Sequence, residues 1–207
     1  MDPRIEALRG RIPGIIYHER VLKNAVLLPL VEYGGEICVL FEIRASHMKR
    51  QPGEICFPGG GVEEDDEGQA ISAIRETCEE LGLLTEDIEL IAPLDLMVSP
   101  FDMIIYPYLG YINDYNRIAI NPDEVESVFC VPLQFLLDHQ PIMTKMKLSV
   151  DAYQDYPFEL IPQGRNYPFR RGAYPVFFYL WKDQVIWGLT ALILHHFLEL
   201  LKQQSSQ

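Results

Sequence analysis

From Gly59 to Leu83 the chain reads GGGVEEDDEGQAISAIRETCEELGL: three consecutive glycines that read as a turn, a burst of acids, then a segment of helical composition closed by Gly82. On a wheel of about 100° per residue with Arg75 at zero, Glu79 falls near about 40°, Glu76 near about 100° and Glu80 near about 140°. The opposite wall holds Ala70, Ile71, Ala73, Ile74, Thr77, Cys78 and Leu81. The segment 67–82 is therefore predicted as a helix with one wall on a core and the other strongly negative, with Gly82 as its C-cap. Glu76 and Glu80 form a like-charge i,i+4 pair with Glu79 beside them, and Arg75 is the helix's only base. Such crowding costs helix stability and raises each carboxyl's pKa. Two readings follow: a solvated acidic face, or a wall whose repulsion is offset by a hard divalent cation that takes oxygen ligands. The glycines favour the second, because backbone without side chains can approach both helix and ligand.

Strand signals surround this helix. Asn24 to Val31 and Ile37 to Ile43 are apolar runs, and Tyr33-Gly34-Gly35-Glu36 between them reads as a hairpin turn. Further strands are expected over 88–98, 103–112, 125–131 and 174–181, with helices at 3–10, 133–138 and 186–202. In the last of these, Leu189, Leu192, Ile193, Phe197 and Leu200 share a face. Residues 44–52 read as a basic loop, 113–124 as a polar loop, and 141–172 as mixed, with strand pieces. Of the adjacent His195 and His196 on the closing helix, one is expected to pack and one to face solvent. The aromatic residues between Tyr153 and Tyr179 are expected mainly in the core or on a sheet face, with some free to line a pocket. No repeat, low-complexity tract or linker interrupts residues 1–207, so one α/β domain is expected, a mixed sheet covered by helices on both faces.

The net charge of −13 argues against nucleic-acid or anionic-membrane binding, while leaving room for an anionic small molecule in a locally basic cleft. The apolar run Ile186 to Leu194 is too short to span a bilayer. Cys38, Cys56, Cys78 and Cys130 form no CxxC pair and sit among apolar neighbours, which suits free thiols in a reducing compartment. The opening residues are charged and lack a continuous apolar stretch, so no signal peptide is read there and a cytoplasmic location is expected. A homodimer is compatible with the chain.

Gly61, Glu67 and Arg75-Glu76-Thr77-x-Glu79-Glu80-x-Gly82-Leu83 resemble the Nudix box, G-x5-E-x7-R-E-U-x-E-E-x-G-U, across residues 61–83, with Thr77 in a usually aliphatic place. Counted from Gly60 instead, the first acid is Asp66, and both registers stay open. The resemblance implies the Nudix fold, an α/β/α sandwich with a mixed β-sheet between helices. It also implies metal-dependent hydrolysis of a nucleoside diphosphate derivative. Mg²⁺ or Mn²⁺ would be held by Glu76, Glu79 and Glu80 with a carbonyl from Gly60 or Gly61, and Arg75 would orient the carboxylates. The general base would come from the box, as Glu76 or Glu79, or from outside it, as Glu124.

Upstream, Leu40 to Gly60 resembles the motif of the coenzyme A pyrophosphatase subgroup, roughly L-L-T-x-[RT]-[SA]-x3-R-x3-G-x3-F-P-G-G. Gly53 and Phe57-Pro58-Gly59-Gly60 fit; Phe41-Glu42 stands where Leu-Thr is usual, and Lys49 where arginine is usual. Stretches from Glu124 and from Ile186 extend the likeness over residues 24–195. The implied substrate is coenzyme A or an acyl-coenzyme A, cut to 4′-phosphopantetheine or its acyl form and adenosine 3′,5′-bisphosphate. The alternatives are ADP-ribose or another nucleotide, or a non-hydrolysing Nudix-fold sensor. Arg44, His47, Lys49 and Arg50 form a basic cluster in an acidic chain, suited to phosphate. Arg44 and Lys49 are the leading substrate contacts, with Gly60 and Gly61.

Overall fold

In the computed structural model, residues 2–204 are described except Pro13 and Tyr17. The elements in order are α1 (Pro3–Glu6), β1 (Leu22–Tyr33), β2 (Glu36–Arg44), β3 (Ile55–Cys56), β4 (Gly59–Gly61), α2 (Gln69–Leu81), β5 (Ile88–Pro93), β6 (Met97–Ser99) and β7 (Met103–Ile112). Then follow β8 (Val125–Pro132), α3 (Leu133–Asp138), β9 (Ile142–Leu148), β10 (Gly172–Trp181), β11 (Gln184–Ile186) and α4 (Gly188–Gln204).

β1 organises the main sheet. It runs parallel to β7 from Leu22↔Met103 to Val31↔Ile112, while β2, β4 and the other neighbours pair antiparallel, so the sheet is mixed. On its other edge β1 changes partner. Leu30 to Tyr33 pair with β2, whereas Asn24 to Val26 pair with the three glycines of β4. The glycine run, expected as a turn, is thus a short strand. With no side chains it shows no alternation, so periodicity could not reveal it.

Side chains alternate across this sheet as the pleat requires. Leu27, Val31, Cys38 and Leu40 face α2 and pack with its Ile74 and Leu81. Leu28, Val39 and Phe41 face the opposite layer, with Leu194, Phe197 and Leu198 of α4. Each fully buried leucine or isoleucine contributes about 1.5–3 kcal/mol. This burial holds α2 in place, since its N-cap, Gly68, makes no side-chain capping bond. The α/β/α sandwich expected from sequence is the observed architecture. β9, β10 and β11 form a second antiparallel sheet against α4. There Phe177 stacks on His195 at 4.0 Å, and His195 Nδ1 lies 2.9 Å from the Tyr179 hydroxyl, while His196 reaches Asp95 at the surface.

Several boundaries differ from expectation. The helix expected at 3–10 is only Pro3–Glu6, because Ala7 to Gly10 are exposed and pack on no core. The strand expected at 88–98 breaks after Pro93 into β5 and β6. The closing helix starts at Gly188 rather than 186, since Ile186 pairs with Tyr179 in β11.

Candidate active site

α2 begins after residues 62–68 fold back over its first turn. Asp66 is the anchor. Its carboxylate accepts from Ser72 Oγ at 2.7 Å, from the Glu63 amide at 3.0 Å, and from Arg75 Nε and Nη2 at 3.2 Å each. Arg75 continues the network: Nη1 lies 2.8 Å from Glu76 Oε1 and 3.4 Å from Glu79 Oε2, and Nη2 donates to the Gly61 carbonyl at 3.3 Å. The Arg75 guanidinium, then Ser72 and the Glu63 amide, hold the Asp66 carboxyl well below the usual carboxylate range. Of the two acids that the sequence left open, Asp66 meets Arg75 and Glu67 is exposed. Thr77, in its unusual place, is fully buried and donates its hydroxyl to the Ala73 carbonyl at 2.7 Å, so no polar group is stranded.

β4 lies directly on this helix. A Cβ on Gly60 would overlap the Glu76 carboxylate, so only glycine permits this approach. The Gly59 amide donates to Glu80 Oε2 at 2.8 Å. Glu80 is 2% exposed, which corrects its expected place on the wall turned away from the core. Its direction borders the arc of Ala73, Ile74, Thr77 and Leu81 that meets the sheet, and β4 and the sheet close over it. Ile71, expected on the core wall, is exposed, and Ser72 is buried beneath Asp66 instead.

The electrostatics follow from this burial. Desolvation, then the charge of Glu42, pushes the Glu80 carboxyl up, against the lowering effect of the Gly59 amide. Glu76 is raised by desolvation and partly restored by Arg75. Glu42, on β2, is 1% exposed and is itself raised by burial; the Cys56 thiol donates to its Oε1 at 3.1 Å. Glu124, at the threshold of β8, adds its charge to Glu42, Glu76 and Glu80. Four carboxylates thus act on one another around β4, while Glu79 stays at the outer rim beside Arg75. Among the described residues, no three acidic, histidine or cysteine groups are gathered at metal-ligating distance. Glu76 and Glu79 turn toward Arg75, and Glu80 toward Gly59. The set nevertheless suits a hard divalent cation, because it is oxygen-only and includes buried carboxylates that lack a paired base.

On the other side of β4 lies a cleft of about 590 Å³ that Gly59 and Gly60 help to line. Arg44 and Arg50 give it positive charge, and Phe57, Phe101, Tyr174 and Trp187 are among its aromatic walls. Arg44 lines the cleft as the sequence predicts. Lys49 is exposed and does not line it; Arg50, also exposed, does. Gly61 likewise is not part of the lining and instead offers its carbonyl to Arg75. Sequence reasoning missed Glu42 and Cys56 as parts of the site, and ranked Lys49 ahead of Arg50 within the basic cluster. Glu42 had one signal, an acid inside an otherwise apolar strand.

A family profile described as NUDIX domain matches residues 21–149. A peroxisomal coenzyme A diphosphatase of Mus musculus is 37% identical over 118 residues, 57% of this chain and 50% of that protein. The chain thus spans half the length of that relative. Nudix hydrolase 3 of Caenorhabditis elegans is 31% identical over 86% of this chain and 72% of its own length. A mitochondrial coenzyme A diphosphatase of Homo sapiens is 31% identical over 88% of this chain and 70% of its own length. Among solved structures, a MutT/nudix family protein from Enterococcus faecalis shares the fold with a TM-score of 0.54 at 18% identity, covering 97% of this chain and 69% of that one.

Proposed function

The chain belongs to the Nudix hydrolase family, and we propose that it cuts the diphosphate of coenzyme A or an acyl-coenzyme A. The products would be 4′-phosphopantetheine, free or acylated, and adenosine 3′,5′-bisphosphate. The observation that carries this reading is the cleft beside β4. Two arginines line the same cleft as Gly59 and Gly60, and its aromatic and aliphatic walls suit a long, uncharged arm. Similarity to proteins named as coenzyme A diphosphatases supports it.

Glu76, Glu79 and Glu80, with a glycine carbonyl of β4, would hold Mg²⁺ or Mn²⁺. When bound, such an ion neutralises the diphosphate and makes a bound water more acidic. Arg75 keeps Glu76 and Glu79 aimed by charge-assisted hydrogen bonds, and Asp66 keeps Arg75 aimed. Glu124 is the proposed base that takes the proton of the attacking water: it stands immediately before β8, where its backbone carbonyl accepts from the Ala45 amide at 2.8 Å, next to the cleft residue Arg44. Arg44 and Arg50 bind the phosphate oxygens.

The test is a substrate panel with the full chain and either metal: coenzyme A, an acyl-coenzyme A, ADP-ribose, NADH and nucleoside triphosphates, with products separated by chromatography and weighed by mass spectrometry. Coenzyme A substrates should give the highest kcat/KM. A tenfold preference for ADP-ribose would overturn the assignment and leave the family intact.

A further inference from the structure

We propose that Glu42 is a further carboxylate ligand of the divalent-cation site, entering it from the sheet beneath α2. The inference rests on the Nudix metal reading and extends it to a residue outside the box. Along β2, Val39 and Phe41 face the α4 layer, while Cys38 and Leu40 face the α2 layer. Strict alternation turns Glu42 toward α2, where apolar side chains otherwise fill the space. The register places it opposite Cys56 of β3 and Val128 of β8, and Cys56 lies three residues before Gly59, whose amide holds Glu80.

Glu42 is almost fully buried, yet its hydrogen bonding is incomplete. Oε1 receives only the weak Cys56 thiol donor, and Oε2 is buried with no hydrogen-bond partner. The nearest base is Arg44, two residues along the same strand. Its Nε is also buried without a partner, and no ion pair joins the two. Glu80 is held by a single amide, and Glu42 is the charge that weighs most on it. A buried carboxylate oxygen without a donor is rare, and each case calls for an explanation. A cation placed between Glu42 and Glu80 supplies the missing partner to Oε2 and removes the repulsion between the two acids, because hard cations accept several carboxylate oxygens at once. The competing occupant is a proton shared between them, which needs no metal.

Two measurements separate these. First, crystals of the full chain soaked in Mn²⁺ should show an anomalous peak within direct coordination distance of a Glu42 oxygen. A peak held by the α2 carboxylates, with Glu42 out of reach, would overturn the proposal and leave the family's metal reading standing. No peak at all in millimolar Mn²⁺ would overturn both. Second, in solution without nucleotide, Glu42→Gln should weaken Mn²⁺ binding at least about tenfold by calorimetry. The melting temperature in chelator should not fall, because the amide removes a buried charge. The exposed-site control Glu89→Gln should bind as the wild type. Unchanged Mn²⁺ affinity in Glu42→Gln would assign Glu42 a structural role only. Should that variant fail to fold, the same calorimetry on Glu42→Thr and the anomalous map of the wild type decide between the cation and the proton.

Discussion

Replacing Gly60 with alanine separates catalytic placement from folding more cleanly than removing a carboxylate. The added Cβ would overlap the Glu76 carboxylate, the far end of a flexible side chain, and no backbone atom is among its nearest neighbours. Gly60 is not one of the positive-φ glycines, so alanine can adopt its backbone conformation. Pushing Glu76 off its rotamer costs about 0.5–1.5 kcal/mol. Alanine also stiffens the unfolded chain, which returns about 0.4–1 kcal/mol. Net stability should change by less than about 1 kcal/mol, or about 2–4 °C in Tm for a chain of this size. Catalysis should suffer far more, because displacing a catalytic group by about 1 Å costs about 100-fold. The assay is coenzyme A hydrolysis at saturating Mg²⁺, alongside a thermal melt. Gly59→Ala is the contrast: its Cβ would strike the Ala25 carbonyl and Val26 Cα, and φ is +150°, so this variant should lose the fold. Wild-type turnover in a folded Gly60→Ala, or equal collapse of both variants, would refute the close approach of β4 to Glu76 as the reason for the glycine.

Three further outcomes are expected. Glu80→Gln should reduce kcat by about 100-fold or more. It should melt no lower than the wild type in chelator and lose any Mg²⁺-induced rise in Tm; a rise of wild-type size would remove Glu80 from the ligand set. Asp66→Asn should flatten acid destabilisation. Because Asp66's folded pKa is depressed, its stabilisation is full above the unfolded value near about 3.9 and is lost as pH falls through the lower folded value. Wild type and variant should therefore converge in Tm as pH falls below about 4, and parallel curves would contradict the Asp66–Arg75 anchor. Arg50→Ala should raise KM for coenzyme A about tenfold, equivalent to about 1.4 kcal/mol, while Lys49→Ala leaves it unchanged; the reverse order would mean the loop presents the other side chain.

Residues 69–82 were legible as a capped helix because their determinants are local. A helical period, a like-charge i,i+4 pair and a closing glycine need no knowledge of the rest of the chain. Gly82 takes the left-handed conformation at φ 63°, and α3 spans Leu133–Asp138 as the pattern predicts. The wheel angles, however, say only how residues sit relative to one another. They cannot say which arc the sheet will cover, and so Glu80 and Ile71 exchanged their expected environments. Likewise, counting residues could not choose between Asp66 and Glu67, because that choice depends on a loop folding back to reach Arg75.

Sequence alone determined the kind of chemistry: a carboxylate-rich helix after a glycine run, in an acidic chain with one basic patch. Tertiary structure decided the arrangement. It made the glycines a strand so that backbone could press on Glu76, buried Glu80 and set Glu42 against it, and put Arg50 rather than Lys49 along the cleft. The reason is range. Periodicity and capping act within a few residues, whereas burial and pairing are settled between β2, β4 and α2, which meet only when the sheet has formed.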